Sequence, residues 1–165
     1  SDVFLILKSK NISGSDSMAI AGYIFYNIIY AVSSYPVGIL ADKIGKKKVF
    51  IIGLLIFSVV YFGFASLNSL AFIWILFALY GFYASSTEGV LKAWVSDLVP
   101  DQNRGSAIGL ITMSSSFAMM IGSIAAGFLW DKFGSQVPFY ISSAVSLIVA
   151  GILYQFSKLK TKVQS

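Results

Sequence analysis

The sequence predicts an all-α integral membrane protein, a bundle of five full transmembrane helices plus a short remnant of a sixth. Three observations carry that prediction. Only 12% of the residues are charged and 57% are hydrophobic, with mean hydropathy +0.81, whereas a soluble domain carries about 25% charged residues. The charges are also bunched, leaving stretches 17–41, 49–87, 105–130 and 133–157 free of any. Finally, the apolar runs are continuous, which excludes the alternating strands of an outer-membrane barrel.

Each element follows from the charge-free stretches. A hydrocarbon core about 30 Å thick needs about 20 helical residues to cross it. The first, third and fourth stretches each fit one span. The second is too long for one and divides at Leu67-Asn68-Ser69, a tight turn. The expected spans are therefore 17–40, 49–67, 70–92 with an extension to 99, 105–130 and 138–157. Residues 3–7 are apolar but too few to cross, so 1–7 reads as the end of a truncated helix, and 158–165 as a basic tail. Loops 41–48 and 100–104 and the tail share one side, which holds Lys43, Lys46, Lys47, Lys48, Arg104, Lys158, Lys160 and Lys162. The other side holds Lys8, Lys10 and Lys132, so the cation-rich side is expected to be cytoplasmic and the membrane to be the plasma membrane.

Composition also restricts the chemistry. Cys and His are both absent, which removes disulfides, thiolate chemistry, zinc or haem sites and a histidine base. No catalytic residue, metal site or cofactor is expected. Twelve Lys and Arg against seven Asp and Glu give a net charge of +5, which in so apolar a chain points to anionic lipid and not to nucleic acid.

An internal repeat is visible. Gly38-Ile39-Leu40-Ala41-Asp42-Lys43-Ile44-Gly45 recurs as Gly127-Phe128-Leu129-Trp130-Asp131-Lys132-Phe133-Gly134, 89 positions later. Three spans end within that interval, so the copies lie on opposite faces, as an inverted three-helix repeat requires. The first copy continues with Lys46-Lys47-Lys48 and the second with Ser135-Gln136.

With its flanks, the first copy resembles the G-x-L-a-D-r-x-G-r-k signature of the major facilitator superfamily, found between the second and third helices of each six-helix half. Pro100-Asp101-Gln102-Asn103-Arg104-Gly105-Ser106-Ala107-Ile108-Gly109 is similar to the family's P-x-x-x-R-G-x-A-x-G start of a fifth helix. The resemblance implies a C-terminal half that lacks most of its first helix. Gly122 to Gly127 contains no proline, unlike the fifth-helix ending of antiporter first halves, and a short basic tail follows the last span. In the signature loop, Gly38 and Gly45 are expected to permit close approach and unusual dihedrals. Asp42 would cap the next helix or pair with a cation, and Lys43 and Lys47 belong to the same loop. The resemblance adds that this loop latches the cytoplasmic face in one conformational state.

Polar groups mark a candidate cavity. Tyr23, Tyr26, Asn27 and Tyr30 crowd one face near the centre of the first span. Tyr80 and Tyr83, followed by Ser85 and Ser86, lie in the third span, and Thr112 and Ser115 near the middle of the fourth. Spans one, three and four are expected to line the interior, with two and five packed outside. Glu88 and Lys92 are the ionisable residues within or beside a span. They are expected to form an i,i+4 pair near the cytoplasmic edge, as a protonation site, a gate or a structural ion pair. Asp97, Asp101 and Arg104 share that patch and are expected to exchange partners between states.

The leading reading is transport of a small solute by alternating access, as part of a secondary active transporter. A non-transporting receptor or scaffold subunit on the same bundle is the alternative, separated from it by flux. A membrane enzyme is disfavoured by the missing His and Cys. The expected partners are the lipid bilayer, the missing N-terminal half, a small-molecule substrate and a coupling proton or sodium ion.

Overall fold

Helix follows helix through the whole chain because each charge-free stretch must satisfy its own backbone hydrogen bonds within lipid. The computed structural model describes residues 2–67 and 69–163, with side chains through residue 156. The helices are α1 (Asp2–Ser13), α2 (Asp16–Ile44), α3 (Lys46–Ser66), α4 (Leu70–Ala84), α5 (Val90–Asp97), α6 (Arg104–Phe133) and α7 (Val137–Val163). A π-helical turn, Ser85–Gly89, joins α4 to α5 without a break, and a 3-10 turn, Asp101–Asn103, leads into α6. Five of the resulting helical segments are long and apolar enough to cross a membrane. No strand occurs among the described residues. Asn68 of the expected turn and the side chains of the basic tail lie outside the described residues, although the backbone of α7 continues helically through Val163.

The helices overrun the charge-free stretches. α2 begins at Asp16 and ends at Ile44, carrying Asp42 and Lys43 in its last turn. Charged side chains at helix ends extend into the headgroups, so a charge need not stop a helix. Two expectations change here. The first helix is three turns long, because α1 continues past the apolar run through Lys8 and Lys10 to Ser13. Lys8, counted with the outward cations, is buried within it. Asp42 does not cap α3, since it lies inside α2 and Gly45 takes the capping position.

The two repeat copies end their helices in the same way. Gly45 has φ +98° and Gly134 φ +94°, and the N–H of each donates to a carbonyl four residues back, Ala41 or Trp130, at 3.0 Å. Only glycine adopts such a backbone without strain. Gly38 needs no such freedom, because a Cβ there would meet nothing within 4 Å. The expectation of close approach at Gly38 is therefore corrected.

α2 and α4 run side by side in one direction. Gly22 lies under the Phe77 ring, and Gly81 meets Ile29 and the Tyr26 carbonyl. α3 runs antiparallel to both α4 and α7. Ser58 and Ser143 lace α3 to α7 reciprocally, each hydroxyl reaching the other's carbonyl at 3.0 and 2.8 Å, and Ser146 donates to the Leu54 carbonyl at 2.8 Å. Val60, Phe64, Phe77 and Phe139 form the centre of the core, with ring centroids of Phe64 at 5.5 Å from Phe77 and 6.0 Å from Phe139.

The division into interior and outer spans is corrected for α3. Expected outside, it packs centrally between α4 and α7, whereas α6, expected inside, has no buried residue but lines a cavity with Met119, Gly122, Ser123 and Ala126. Polarity misplaced α3 because the wall it provides is aromatic, not hydroxylated.

Candidate functional site: an aromatic chamber around a mid-span carboxylate

Asp2 occupies the first position of α1, and α1 turns back into α2 at Gly14. At 1.5 Å per residue it lies roughly 16 Å along the axis from Ser13, about half the depth of a hydrocarbon core. There it meets two phenols. The hydroxyl of Tyr26 on α2 donates to Asp2 Oδ2 at 2.7 Å, and that of Tyr80 on α4 donates to Oδ1, also at 2.7 Å. One carboxylate thus joins three helices. Both of its oxygens accept.

Asp2 lines a chamber of about 320 Å³ together with Phe57, Tyr61, Tyr80, Tyr83 and Phe139, and with Glu88, Gly122, Ser123 and Ser142. The rings form a continuous set. Phe57 stacks on Tyr61 at 3.9 Å, Tyr26 meets Tyr80 edge-on at 5.2 Å, and Tyr80 lies 5.2 Å from Tyr83. A second cavity of about 440 Å³, between α3, α6 and α7, shares Phe57, Tyr83, Gly122 and Ser142 with the chamber. Its other lining is aliphatic apart from Ser146.

The residues singled out by polarity separate into distinct places. Tyr80 and Tyr83 line the chamber, and Tyr26 reaches it through Asp2. Tyr23 lies edge-on to Tyr26 at 5.1 Å, while the Asn27 amide turns back to donate to the Tyr23 carbonyl at 2.8 Å. Tyr30 lines another crevice, of about 350 Å³, with Ser34, Gly38, Asp42, Lys46 and Gly89. Ser115 is exposed on α6, outside the chamber lining. Ser85, Ser86 and Thr87 are buried and donate to the carbonyls of Phe82 and Tyr83 in their own helix.

Glu88 links the chamber to the crevice through Tyr30. It lies in the π-turn, lines the chamber, and accepts from the Tyr30 hydroxyl at 3.3 Å. Among the described residues no ion pair joins it to Lys92, which is exposed on α5, so the expected i,i+4 pair is corrected. That spacing aligns side chains only on a regular α-helix, and the π-turn places its wider winding at Glu88 itself. Further along, Lys46 pairs with Asp97 at 2.6 Å and lies 4.0 Å from Asp42, bringing the signature loop against the end of α5. Lys47 is half-buried beside this pair and Lys43 is exposed. Arg104 pairs with Asp101 at 3.0 Å and donates from Nε to the Ser96 carbonyl at 3.2 Å.

Sequence reasoning missed Asp2, Phe57, Tyr61 and Phe139. A signal for Asp2 was present, since an acid placed three turns before the Gly14 turn falls at mid-span if the helix runs that far. The aromatic wall carried no such signal, because aromatic residues in a span serve lipid and cavity equally well.

The family profile described as the Major Facilitator Superfamily matches residues 3–164. The chain belongs to that superfamily. Among relatives of this superfamily chain, an MFS-type transporter of Methanocaldococcus jannaschii is 41% identical over 137 residues, 83% of this chain and 34% of the relative. Multidrug resistance protein 2 of Bacillus subtilis is 31% identical, over 87% of this chain and 35% of its own length. Quinolone resistance protein NorA of Staphylococcus aureus is 26% identical, over 86% and 36%. The chain thus spans about a third of the length of these relatives. No solved structure gives a significant match. Superfamily membership and five apolar spans make the chain an integral membrane protein of the lipid bilayer.

Proposed function

We propose that this chain is one half of a secondary active transporter that moves a small solute by alternating access. The observation that carries the reading is Asp2, held by Tyr26 and Tyr80 at mid-span on the wall of an aromatic chamber. A carboxylate in lipid is costly and marks a substrate or ion pathway. The ion-paired signature loop at Lys46 and Asp97 suits a latch on one face, and the positive-inside rule makes that face cytoplasmic in the plasma membrane. Glu88, between chamber and crevice, suits a gate that opens with that latch. The chamber is completed by a second bundle, the N-terminal half of the same protein. Met113, Phe117 and Met120 on α6 are exposed and available to it. The names of the Bacillus and Staphylococcus relatives support a small organic solute, and the mid-span carboxylate suits a proton or sodium ion as coupling partner.

The test is flux by the full-length protein in vesicles holding an entrapped pH dye, under an imposed proton or sodium gradient. Solute-dependent ion movement, lost in Asp2→Asn, is expected. Ligand binding without flux under either gradient would overturn the proposal in favour of a receptor.

A further inference from the structure

The cavity between α3, α6 and α7 is larger than the chamber, and no charged residue lines it. It is a groove and not an enclosed void, since Ile141, Val145 and Val149 of α7 line it and remain exposed. Across from them α6 stands off, because a Cβ at Gly122 would meet nothing within 4 Å. We propose that this groove binds an anionic phospholipid, one acyl chain lying between α6 and α7 and the phosphate beside Lys132.

Four physical points select that occupant. First, the groove lies within the spans, where hydrocarbon and not water is the solvent. At about 440 Å³ it is far larger than the voids a packed interior leaves, and water does not settle in an apolar space. Second, its length is that of one leaflet. Pro138 stands at the start of α7, and Val149 lies roughly 16 Å further along the axis at 1.5 Å per residue. That is about half of a hydrocarbon core about 30 Å thick, so a chain entering at Pro138 ends beside Val149 and Leu54. Third, the second bundle does not compete for the groove. At about 100° per residue, Met113, Phe117 and Met120 share the face of α6 offered to that bundle, while Ala125, Ala126 and Leu129 line the groove from the opposite face. Fourth, a cation marks the entrance. Lys132 is exposed two turns beyond Ala125 on nearly the same face, its ammonium 4.7 Å from the centre of the Phe128 ring. The neighbouring Asp131 falls on the Met113 side of the helix. Basic side chains at the membrane surface attract anionic headgroups.

The test is photolabelling of purified full-length protein in phosphatidylcholine nanodiscs that hold a trace of phosphatidylglycerol with a diazirine on one acyl chain. Labelled residues are read by mass spectrometry. A diazirine at the chain end should mark Leu54 or Val149, and one near the glycerol should mark Leu129 or Pro138. Wild-type labelling spread evenly over the exposed faces of α2, α3 and α7, or with the depth order reversed, overturns the proposal without recourse to any variant. Ala125→Trp fills the groove from a position that does not line the chamber. It should lose about tenfold in groove labelling, the equivalent of about two methylene groups denied burial. Ala144→Trp, exposed on α7 outside the groove lining, is the control and should label as the wild type does. Lys132→Gln should lower labelling by the anionic lipid about threefold and leave that by phosphatidylcholine with the same chain unchanged. Wild-type groove labelling in a monodisperse Ala125→Trp protein overturns the proposal, as does an unchanged preference for the anionic lipid in Lys132→Gln. No flux enters this test, so its outcome is independent of the transport reading.

Discussion

Replacing Gly81 with alanine should pry α2 away from α4 and break the grip on Asp2. A Cβ at Gly81 would lie 2.8 Å from the Tyr26 carbonyl oxygen and 2.8 Å from Ile29 Cβ. Comfortable contacts begin at about 3.5 Å, so the two helices must part by about 0.7 Å at this level. Backbone is one of the obstructing groups, so no rotamer change relieves the clash. Overpacking of this kind costs about 1–3 kcal/mol. Tyr26 and Tyr80 sit at the same level, each 2.7 Å from an Asp2 oxygen. The same displacement would stretch one of these bonds to about 3.4 Å, where little of it survives. Gly151→Ala is the control, because a Cβ there meets nothing within 4 Å on an exposed position of α7. The assay is the fraction of protein that stays monodisperse after heating, read by gel filtration. Gly81→Ala should melt lower, and Gly151→Ala should match the wild type or exceed it. A Gly81→Ala protein with wild-type melting would show that α2 and α4 are not held as described.

Other outcomes follow from the same geometry. Ser58→Ala with Ser143→Ala should lower the melting temperature, since hydrogen bonds between membrane helices are worth about 0.6 kcal/mol each; a double mutant of wild-type stability would make the α3–α7 lacing incidental. Gly45→Ala should cost about 1–2 kcal/mol through its positive φ, measured by the same melting assay beside Gly38→Ala, which should be nearly silent. Lys46→Met should cost under about 1 kcal/mol of stability, because the Asp97 carboxylate it meets is half exposed, yet it should change the rate of transport. In full-length protein with any other cysteine replaced, Lys46→Cys and Asp97→Cys can be joined by a short bifunctional thiol reagent, and a crosslink that leaves flux untouched would refute the latch.

The fold was largely legible because a bilayer imposes a length on each apolar run, and a charge-free stretch can be measured against it. The repeat glycines were legible for a related reason: Gly45 and Gly134 stand where helices must stop, and the backbone conformation there excludes other residues. The site was less so. Tyr80 and Tyr83 stood out as polar groups deep in a span, but Asp2 takes its meaning from hydroxyls 24 and 78 positions away. No local periodicity expresses bonds over such separations. The Glu88–Lys92 pairing failed for a different reason. It assumed an α-helical phase, and nothing in Ser85-Ser86-Thr87-Glu88-Gly89 announces a wider turn.

That turn sets the timing of everything after it. A π-turn holds one residue more than the α-helix it interrupts, so losing a single residue within 85–89 would leave an unbroken helix of ordinary winding. The cost in helical hydrogen bonds would be small, and the span would remain long enough to cross. Because the wider turn has already absorbed that residue, α5 would keep its phase, and Asp97 would stay on the face that meets Lys46. The same deletion in the regular helix on either side would turn every residue after it by about 100°.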